Sequence, residues 1–489
     1  MPGARHRAIF FAMTTLTAAT AFSTPVPSDA VDALRSTVAG PVHVPGDALY
    51  DSEISPWIAN TVHSPDVVVG ATCAEDVAAA VQFALQHGLS VSVQATGHGA
   101  TTAIHGGVLI STRRMTAVAV DAERGVAQIA AGAKWAAVLA ASTPHGLAPL
   151  SGSTTDVGAI GYSLGGGLGP LGRKYGFAAD QIRSAQIVTG DGQLRTVSGN
   201  DELIGALRGG KGNFGIVTSL EVGLVPVARL YGGAMFFDGA DAATVLHAWR
   251  EWVETVPEDM TSSIALLRLP DLDIFPPPLR GQTSVHLRIA YDGDAAEGER
   301  LVAPLRAVAT PVLDMVRDMP FTEVDSIHMD PLEATGAHES GRLLTALPAE
   351  AVDTLLAAAG PDVDVPIIFA EIRHMGGALA RQPEFASSVA GRNAAFSLFV
   401  LGPMAPGLEE IVPPVVAGVV QALAPWHAQE RLINFIGHDM DPESVTAAYP
   451  AEVAARLTEL KHRYDPAGLF SHGPALPSSV IPRQYASVD

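Results

Sequence analysis

A single cysteine, Cys73, among 489 residues leaves the chain no internal disulfide, and no Cys/His cluster has the spacing of a zinc site. No metal is therefore expected, and stability has to come from packing. Charge is scarce as well: charged residues make up 17% of the chain, well under the usual quarter or so. Acids outnumber bases by 51 to 30, a formal net charge of −21. A surface of that sign repels phosphate backbones and anionic head groups, so nucleic acid and membrane surfaces are poor partners. No stretch approaches the ~20 uninterrupted apolar residues of a membrane span.

What the chain does have is apolar bulk. Residues of that kind make up 48%, which favours a well-buried globular enzyme and excludes a disordered chain. The length exceeds one ordinary core, so two or three units are expected. At the N-terminus Arg5 and Arg7 precede Ala8–Met13 in faint imitation of an export signal. Thr14, Thr15, Thr17 and Thr20 interrupt the apolar region, no clean small-x-small site precedes Ser23-Thr24-Pro25, and a start at Met13 would remove the basic residues. The expectation is a cytoplasmic protein, with export by a weak N-terminal signal as the alternative.

Residues 40–60 read as an irregular lead-in. Val67–Val69, a helix opened by the capping box Thr72–Glu75 and ended at Gly88, and a strand alternating over Leu89–Gln94 form a βαβ unit. Short strands follow at Val108–Ile110, Val118–Val120 and Ala127–Ile129, then a helix near Trp135–Ala141. Strands Ala185–Val188 and Leu194–Val197 flank a Gly190-Asp191-Gly192 turn, and Phe214–Val222 is another strand. From about residue 227 the pattern changes. Strands Gly232–Phe237, Ser262–Arg268, Ser284–Tyr291, Ile367–Arg373 and Phe396–Leu401, with helices Ala242–Val256 and Ala296–Val308, suit an antiparallel sheet covered on one face. The Pro-rich Asp271–Arg280 reads as a loop. The last segment predicts a strand over Glu430–Ile436 and a helix over Glu443–Arg463, stopped by Asp465-Pro466.

Three segments carry chemistry. Ala95-Thr96-Gly97-His98-Gly99-Ala100 directly follows a strand; small residues there let backbone N–H groups approach a phosphate, with a histidine against whatever is bound. The bland alternative is a tight turn with an incidental histidine. Residues 152–169 hold seven glycines in 18 positions, among them Gly152, Gly158, Gly161 and Gly166. A floppy linker is ruled out by the interleaved Val157, Ile160, Tyr162, Leu164 and Leu168, so backbone must approach something closely. Within this stretch Gly167-Leu168-Gly169-Pro170-Leu171-Gly172 matches the G-x-G-x-x-G dinucleotide pattern, with Asp191 about 20 residues on. No β-branched strand leads into it and Pro170 stands where its helix should begin, so it reads as a decoy. The third segment, Arg208-Gly209-Gly210-Lys211-Gly212-Asn213-Phe214-Gly215-Ile216-Val217-Thr218, runs a glycine turn into an apolar strand; the alternative is a long hairpin.

Together these segments resemble the FAD-binding domain of the vanillyl-alcohol-oxidase superfamily, of PCMH type, and within it the berberine-bridge-enzyme-like oxidases. The family's covalent loop, Arg-Gly-Gly-His or Ser-Gly-Gly-His, matches Ala95–His98. The Val-Gly-x-x-Gly-x-x-x-Gly-Gly-Gly-x-Gly run matches Val157–Gly169, and Arg-Gly-Gly-x-Gly-Asn-Phe-Gly-x-Val-Thr matches Arg208–Thr218. The ending Arg-Leu-x-x-x-Lys-x-x-Tyr-Asp-Pro-x-x-x-Phe matches Arg456–Phe470.

The resemblance implies an α+β fold: an N-terminal extension (1–30), an FAD-binding domain (31–226), a substrate domain with an antiparallel sheet covered by helices (227–430), and a C-terminal segment (431–489) returning to the first domain. It implies FAD on His98, gripped by Ala95, Thr96, Gly97, Gly99, Ala103, Gly152, Ser153, Thr154, Thr155, Val157, Gly158, Gly161, Tyr162, Gly166, Gly215 and Ile216. Many relatives add a cysteinyl link, but Thr154 holds that position here, so a single attachment is expected. It further implies an oxidase in which a small organic substrate (an alcohol, sugar, amine or biosynthetic intermediate) loses a hydride to the flavin, with O2 as the second substrate. An oxygenase or dehydrogenase of the same fold, or a non-catalytic flavin-binding protein, are the alternatives. The family's basic tyrosine is missing: the corresponding dipeptide is Asn434-Phe435. The candidates for the catalytic role are Tyr449 and His374 first, then Glu371, Arg373, His438 and Asp439, with Asn434 retained in the catalytic set. Relatives continue past the final Phe with an Asn-rich segment touching the flavin; Ser471-His472-Gly473-Pro474 puts that contact in doubt. Ile367, Ile368, Phe369, Phe396 and Phe399 hint at a hydrophobic or aromatic substrate. The oligomeric state is unreadable.

Overall fold

The computed structural model describes residues 26–273 and 275–477. The reading of residues 1–25 as a weak export signal lies outside them.

Two small sheets and one large one organise the described residues. The first has four strands in the order Val42–His43, Val67–Gly70, Val108–Ser111, Val91–Gln94. The two strands of the βαβ unit are thus not neighbours: Val108–Ser111 lies between them, parallel to both. The connecting helix is Ala74–His87, and Gly88 closes it at φ 65°, a left-handed conformation that costs glycine little. Its N-terminus differs from the expected box. Cys73 is the N-cap, and the carboxylate that reaches back is Asp76, which accepts from Thr72 N and Thr72 Oγ1 and also from Ala39 N and Gly40 N. Asp76 is the residue with four donors in reach, and Glu75 is not.

The second sheet is antiparallel, in the order Val118–Asp121, Val126–Ala130, Gly215–Gly223, Ile182–Thr189, Leu194–Ser198. It shares one core with the first sheet, built from Val67, Val69, Ile110, Ile129, Ile187 and Leu220.

The third sheet, of eight strands, is antiparallel throughout. Its central run is Arg229–Asp238, Thr283–Tyr291, Met260–Arg268, Phe369–His374, Phe396–Pro403, Ala337–Leu344. Register separates its two faces, because alternate residues point oppositely. On one face Met235, Leu287, Ile264, Ile372 and Leu398 stand in line and pack under the helices Ala242–Trp252, Ala349–Ala359 and Val412–Ala422. On the other face the facing rows are His286, Ala265, Glu371, Phe399, Gly341 and Arg288, Ser263, Arg373, Ser397, Leu343. Polar residues crowd the side that no helix covers.

The C-terminal part departs from expectation twice. Residues 430–436 are not a strand: Arg431, buried, donates to Ile436 O at 2.8 Å and closes the segment on itself, leaving a short 3-10 turn over Ile433–Phe435. The long helix is two, Pro442–Ala447 and Ala451–Tyr464, because Pro450 cannot continue the first and becomes the N-cap of the second. The following chain then docks back: Val91 N donates to Leu469 O at 2.8 Å, extending the edge of the first sheet.

Candidate active site

A cavity of about 960 Å³ opens between the uncovered face of the large sheet and the two glycine-rich segments. Its walls include Ala95, Thr96, Gly97, His98 and Gly99 from the turn after strand Val91–Gln94, and Gly152, Ser153, Thr154, Val157, Gly158, Gly161 and Tyr162 from the second segment. Gly215 and Ile216 close it at the start of their strand. Three of the expected contacts fall elsewhere. Ala103 does not line the cavity, while its neighbour Ile104 does. Thr155 is turned to Asp325, whose carboxylate accepts from Thr155 N at 2.8 Å and Oγ1 at 2.6 Å. Gly166 is not in the wall; it makes a left-handed bend at φ 103°.

Close backbone approach explains two of the glycines. A Cβ at Gly97, which sits at φ 80°, would stand 2.6 Å from Pro56 Cα, and one at Gly169 would stand 1.9 Å from Ser151 O. The decoy around Gly167 is a connection: it follows the helix Ala159–Leu164 and leads into a helix of only four residues, Gly172–Tyr175.

His98 is held on three sides. Its Nδ1 is 2.9 Å from Thr96 Oγ1, its ring stacks on Trp57, and its Nε2 is 3.8 Å from Asp156 Oδ2. Burial, opposed by Asp156 and assisted by Lys134, lowers its pKa to about 4, so the imidazole is neutral at neutral pH. With Nδ1 engaged by Thr96, Nε2 is left buried with no hydrogen-bond partner. A buried nitrogen of a neutral imidazole without a hydrogen-bond partner, at a cavity wall, is a place where a bound group can engage the ring.

The large sheet supplies the opposite wall. Burial would raise the carboxyl of Glu371, but Arg373, Arg288 and the hydroxyl of Ser263 hold it down at about 2. It is therefore the ionised centre of a buried two-arginine pair. The rings of His286 and His328 lie beside this group, kept neutral by burial and by Arg288. Asn434 also lines the cavity, its Nδ2 donating to Tyr162 O at 2.8 Å. Next to it Phe435 meets Phe399 edge to face and lies under the Arg373 guanidinium, 5.1 Å from its ring centre.

The two first-ranked catalytic candidates are placed elsewhere. Tyr449 is buried outside the cavity, its hydroxyl donating to Gly209 O at 2.8 Å. His374 is on the helix-covered face of its strand, stacked on Phe396, with Nε2 2.9 Å from Arg173 Nη1; burial and Arg173 lower its pKa to about 3. Neither reaches the space a substrate would occupy. Of the apolar residues read from the same strands, Ile368, Phe369 and Phe399 face the cavity, whereas Ile367 and Phe396 are in the core under the helices.

Sequence reasoning missed Trp57, Lys211 and Glu339. Lys211 stood in the third glycine segment with nothing to single it out; its Nζ donates to Gly161 O at 3.1 Å, and burial lowers its pKa to about 8. The tail doubted above does reach the site: His472, Gly473 and Pro474 line the cavity, and Pro474 O accepts from Asn213 Nδ2.

Comparison with known proteins agrees with this architecture. Residues 65–198 match the family model described as an FAD binding domain. The (R)-6-hydroxynicotine oxidase of Paenarthrobacter nicotinovorans is 27% identical over 463 residues, spanning 89% of this chain and 96% of that protein. An FAD-dependent monooxygenase of Fusarium proliferatum is 34% identical over 207 residues, 41% of this chain and 40% of the relative. Among solved structures, 6-hydroxy-D-nicotine oxidase from Arthrobacter nicotinovorans superposes with a TM-score of 0.80 at 24% identity, covering 90% of this chain and 98% of that one. The xylooligosaccharide oxidase from Myceliophthora thermophila C1 gives 0.78 at 22% identity, over 92% and 100%. Residues 65–198 thus carry an FAD-binding domain, and the chain shares the fold of berberine-bridge-like and 6-hydroxynicotine oxidases over nearly its whole length. It is an FAD-binding oxidoreductase.

Proposed function

We propose that the protein is an oxidase whose FAD is bonded covalently to the chain through one histidine, His98, and that it oxidises a small, largely apolar organic substrate. The observation that carries the reading is the buried Nε2 of a neutral His98, without a hydrogen-bond partner, in the wall of a cavity large enough for cofactor and substrate together. The rest of the wall fits such a group: at Gly99 and Gly161 a Cβ would meet no atom within 4 Å, so flat backbone is offered to the cavity. An FAD held there would supply two-electron redox chemistry: the substrate would lose a hydride and a proton, and O2 would take up both to give hydrogen peroxide.

The chain's own residues bind, orient and exclude water. Thr96 holds Nδ1 of His98, Trp57 fixes the ring plane, and Asp156 stabilises positive charge that develops on the ring. Thr154 lines the cavity at the position where relatives carry a second linking cysteine, which supports one attachment and not two. Asn434 ties the substrate sheet to the glycine segment through Tyr162 O, and Ile368, Phe369, Phe399 and Phe435 give the substrate space its apolar surface. Retention of yellow colour in acid-precipitated wild type, its loss from His98→Ala, and peroxide release across a substrate panel test the reading. Colourless precipitate from wild-type protein that was yellow beforehand would defeat the covalent bond.

A further inference from the structure

The cavity wall holds one carboxylate for which the oxidase reading has no use. Glu339 lies on the strand Ala337–Leu344, half-buried, and lines the cavity. In register it stands opposite Leu401, which stands opposite Phe369, which stands opposite Leu267. Its row is therefore apolar across the next three strands. Two residues on, Gly341 passes so close under Phe435 that a Cβ there would be 2.6 Å from Phe435 O. Glu339 thus lies two residues along the strand from the glycine that abuts Phe435, the residue where relatives carry tyrosine.

The other charged groups in the wall are committed. Glu371 has Arg288 and Arg373, which leaves neither arginine for Glu339. Asp330 receives a hydrogen bond from Ser153, and Lys211 is on Gly161 O. Glu333 is exposed. The side chain of Glu339 has no hydrogen bond or ion pair among the described residues, and burial alone raises its pKa, to about 7. An unpaired carboxylate in an apolar wall is costly, and that cost is recovered when a cation completes it.

Resting on the oxidase reading, we propose that Glu339 pairs with a basic nitrogen of the substrate, which makes this cavity selective for apolar amines. The aromatic and aliphatic row beside it receives the body of the molecule, and the carboxylate receives the ammonium group. An alcohol or sugar of similar size offers Glu339 no charge and leaves the apolar row against hydroxyl groups.

The test uses the purified holoenzyme and two probes of one shape, N-methylbenzylamine and benzyl methyl ether, with binding read by calorimetry. The amine is expected to bind about tenfold tighter than the ether or more, the worth of one charged hydrogen bond. Glu339→Gln is expected to bring that ratio close to one while leaving ether binding unchanged. Equal binding of the two probes by wild type, no binding of either, or an amine preference that survives Glu339→Gln would overturn the proposal. If Glu339→Gln does not fold, the wild-type ratio alone decides. Flavin absorbance is recorded on the same samples: colourless protein defeats the oxidase reading and leaves the probe ratio readable, whereas yellow protein without amine preference defeats only the role of Glu339.

Discussion

Trp57 lies flat against His98, their ring centroids 4.6 Å apart and their planes within 15° of each other. The indole reaches the site from the lead-in before the first parallel strand, and its Nε1 donates to Leu332 O, just before the large-sheet strand Ala337–Leu344. A stack of this kind contributes about 0.5–1.5 kcal/mol beyond burial, enough to hold an imidazole in one plane for bond formation. His98→Ala is expected to abolish acid-stable flavin absorbance. Trp57→Ala should give a mixture, with part of the flavin released on acid precipitation, because the nucleophile remains but its orientation is lost. Full retention in Trp57→Ala would assign the stack no part in attachment.

Lys461 is buried to 1% exposure, and its Nζ donates to Asn213 O, Phe470 O and Asp465 Oδ2. Asp465 in turn accepts from Leu469 N and Phe470 N. These two side chains clip the C-terminal segment to the glycine turn that ends at Gly215. Lys461→Met leaves Asp465 buried and charged, at a cost of about 3–5 kcal/mol. The expected result is a large drop in Tm, partly recovered in the Lys461→Met/Asp465→Asn double variant. A thermal melt of the three proteins checks it.

The glycine segments were legible because close backbone approach restricts residue type locally: His98, Gly97 and Gly158 could be read in order along the chain. The substrate side was less so. Ala337–Leu344 carries no clean alternation; it is a strand because eight residue pairs join it to Phe396–Pro403. With that strand went Glu339. Trp57 was invisible for a similar reason, since nothing local marks a tryptophan that stacks on a histidine 41 positions later. The expected strand at residues 430–436 looked apolar enough, but the buried Arg431 that folds it into a turn acts through contacts no period reveals.

Tyr449 shows how a chemically suitable residue is disqualified by placement. Its hydroxyl makes one hydrogen bond, to Gly209 O, and burial raises its pKa further from the neutral range. Tyr449→Phe should cost about 1 kcal/mol of stability, the usual worth of one such bond. Flavin content and the acid-stable fraction should match wild type. A loss of either in a variant that melts normally would return Tyr449 to the site.

Glu339 also predicts how stability changes with pH. The groups facing it are few: the strand Phe396–Pro403 has no titratable residue, the crossing loop brings His438 to its backbone, and Glu371 and Arg373, two strands away, are paired with each other. Its folded pKa, raised by burial to about 7, exceeds the ordinary carboxylate value of 4.5. The protonated form is therefore favoured by folding, a contribution complete below about pH 4.5 and lost as pH rises through 7. Glu339→Gln keeps a neutral side chain at every pH. Its Tm relative to wild type should climb between about pH 4.5 and 7 and then level off, because wild type alone has to bury a charge. A difference in Tm that is flat across this range would mean the carboxylate is solvated or already paired, and binding of an ammonium probe to wild type at pH 8 should itself flatten it by supplying the missing cation.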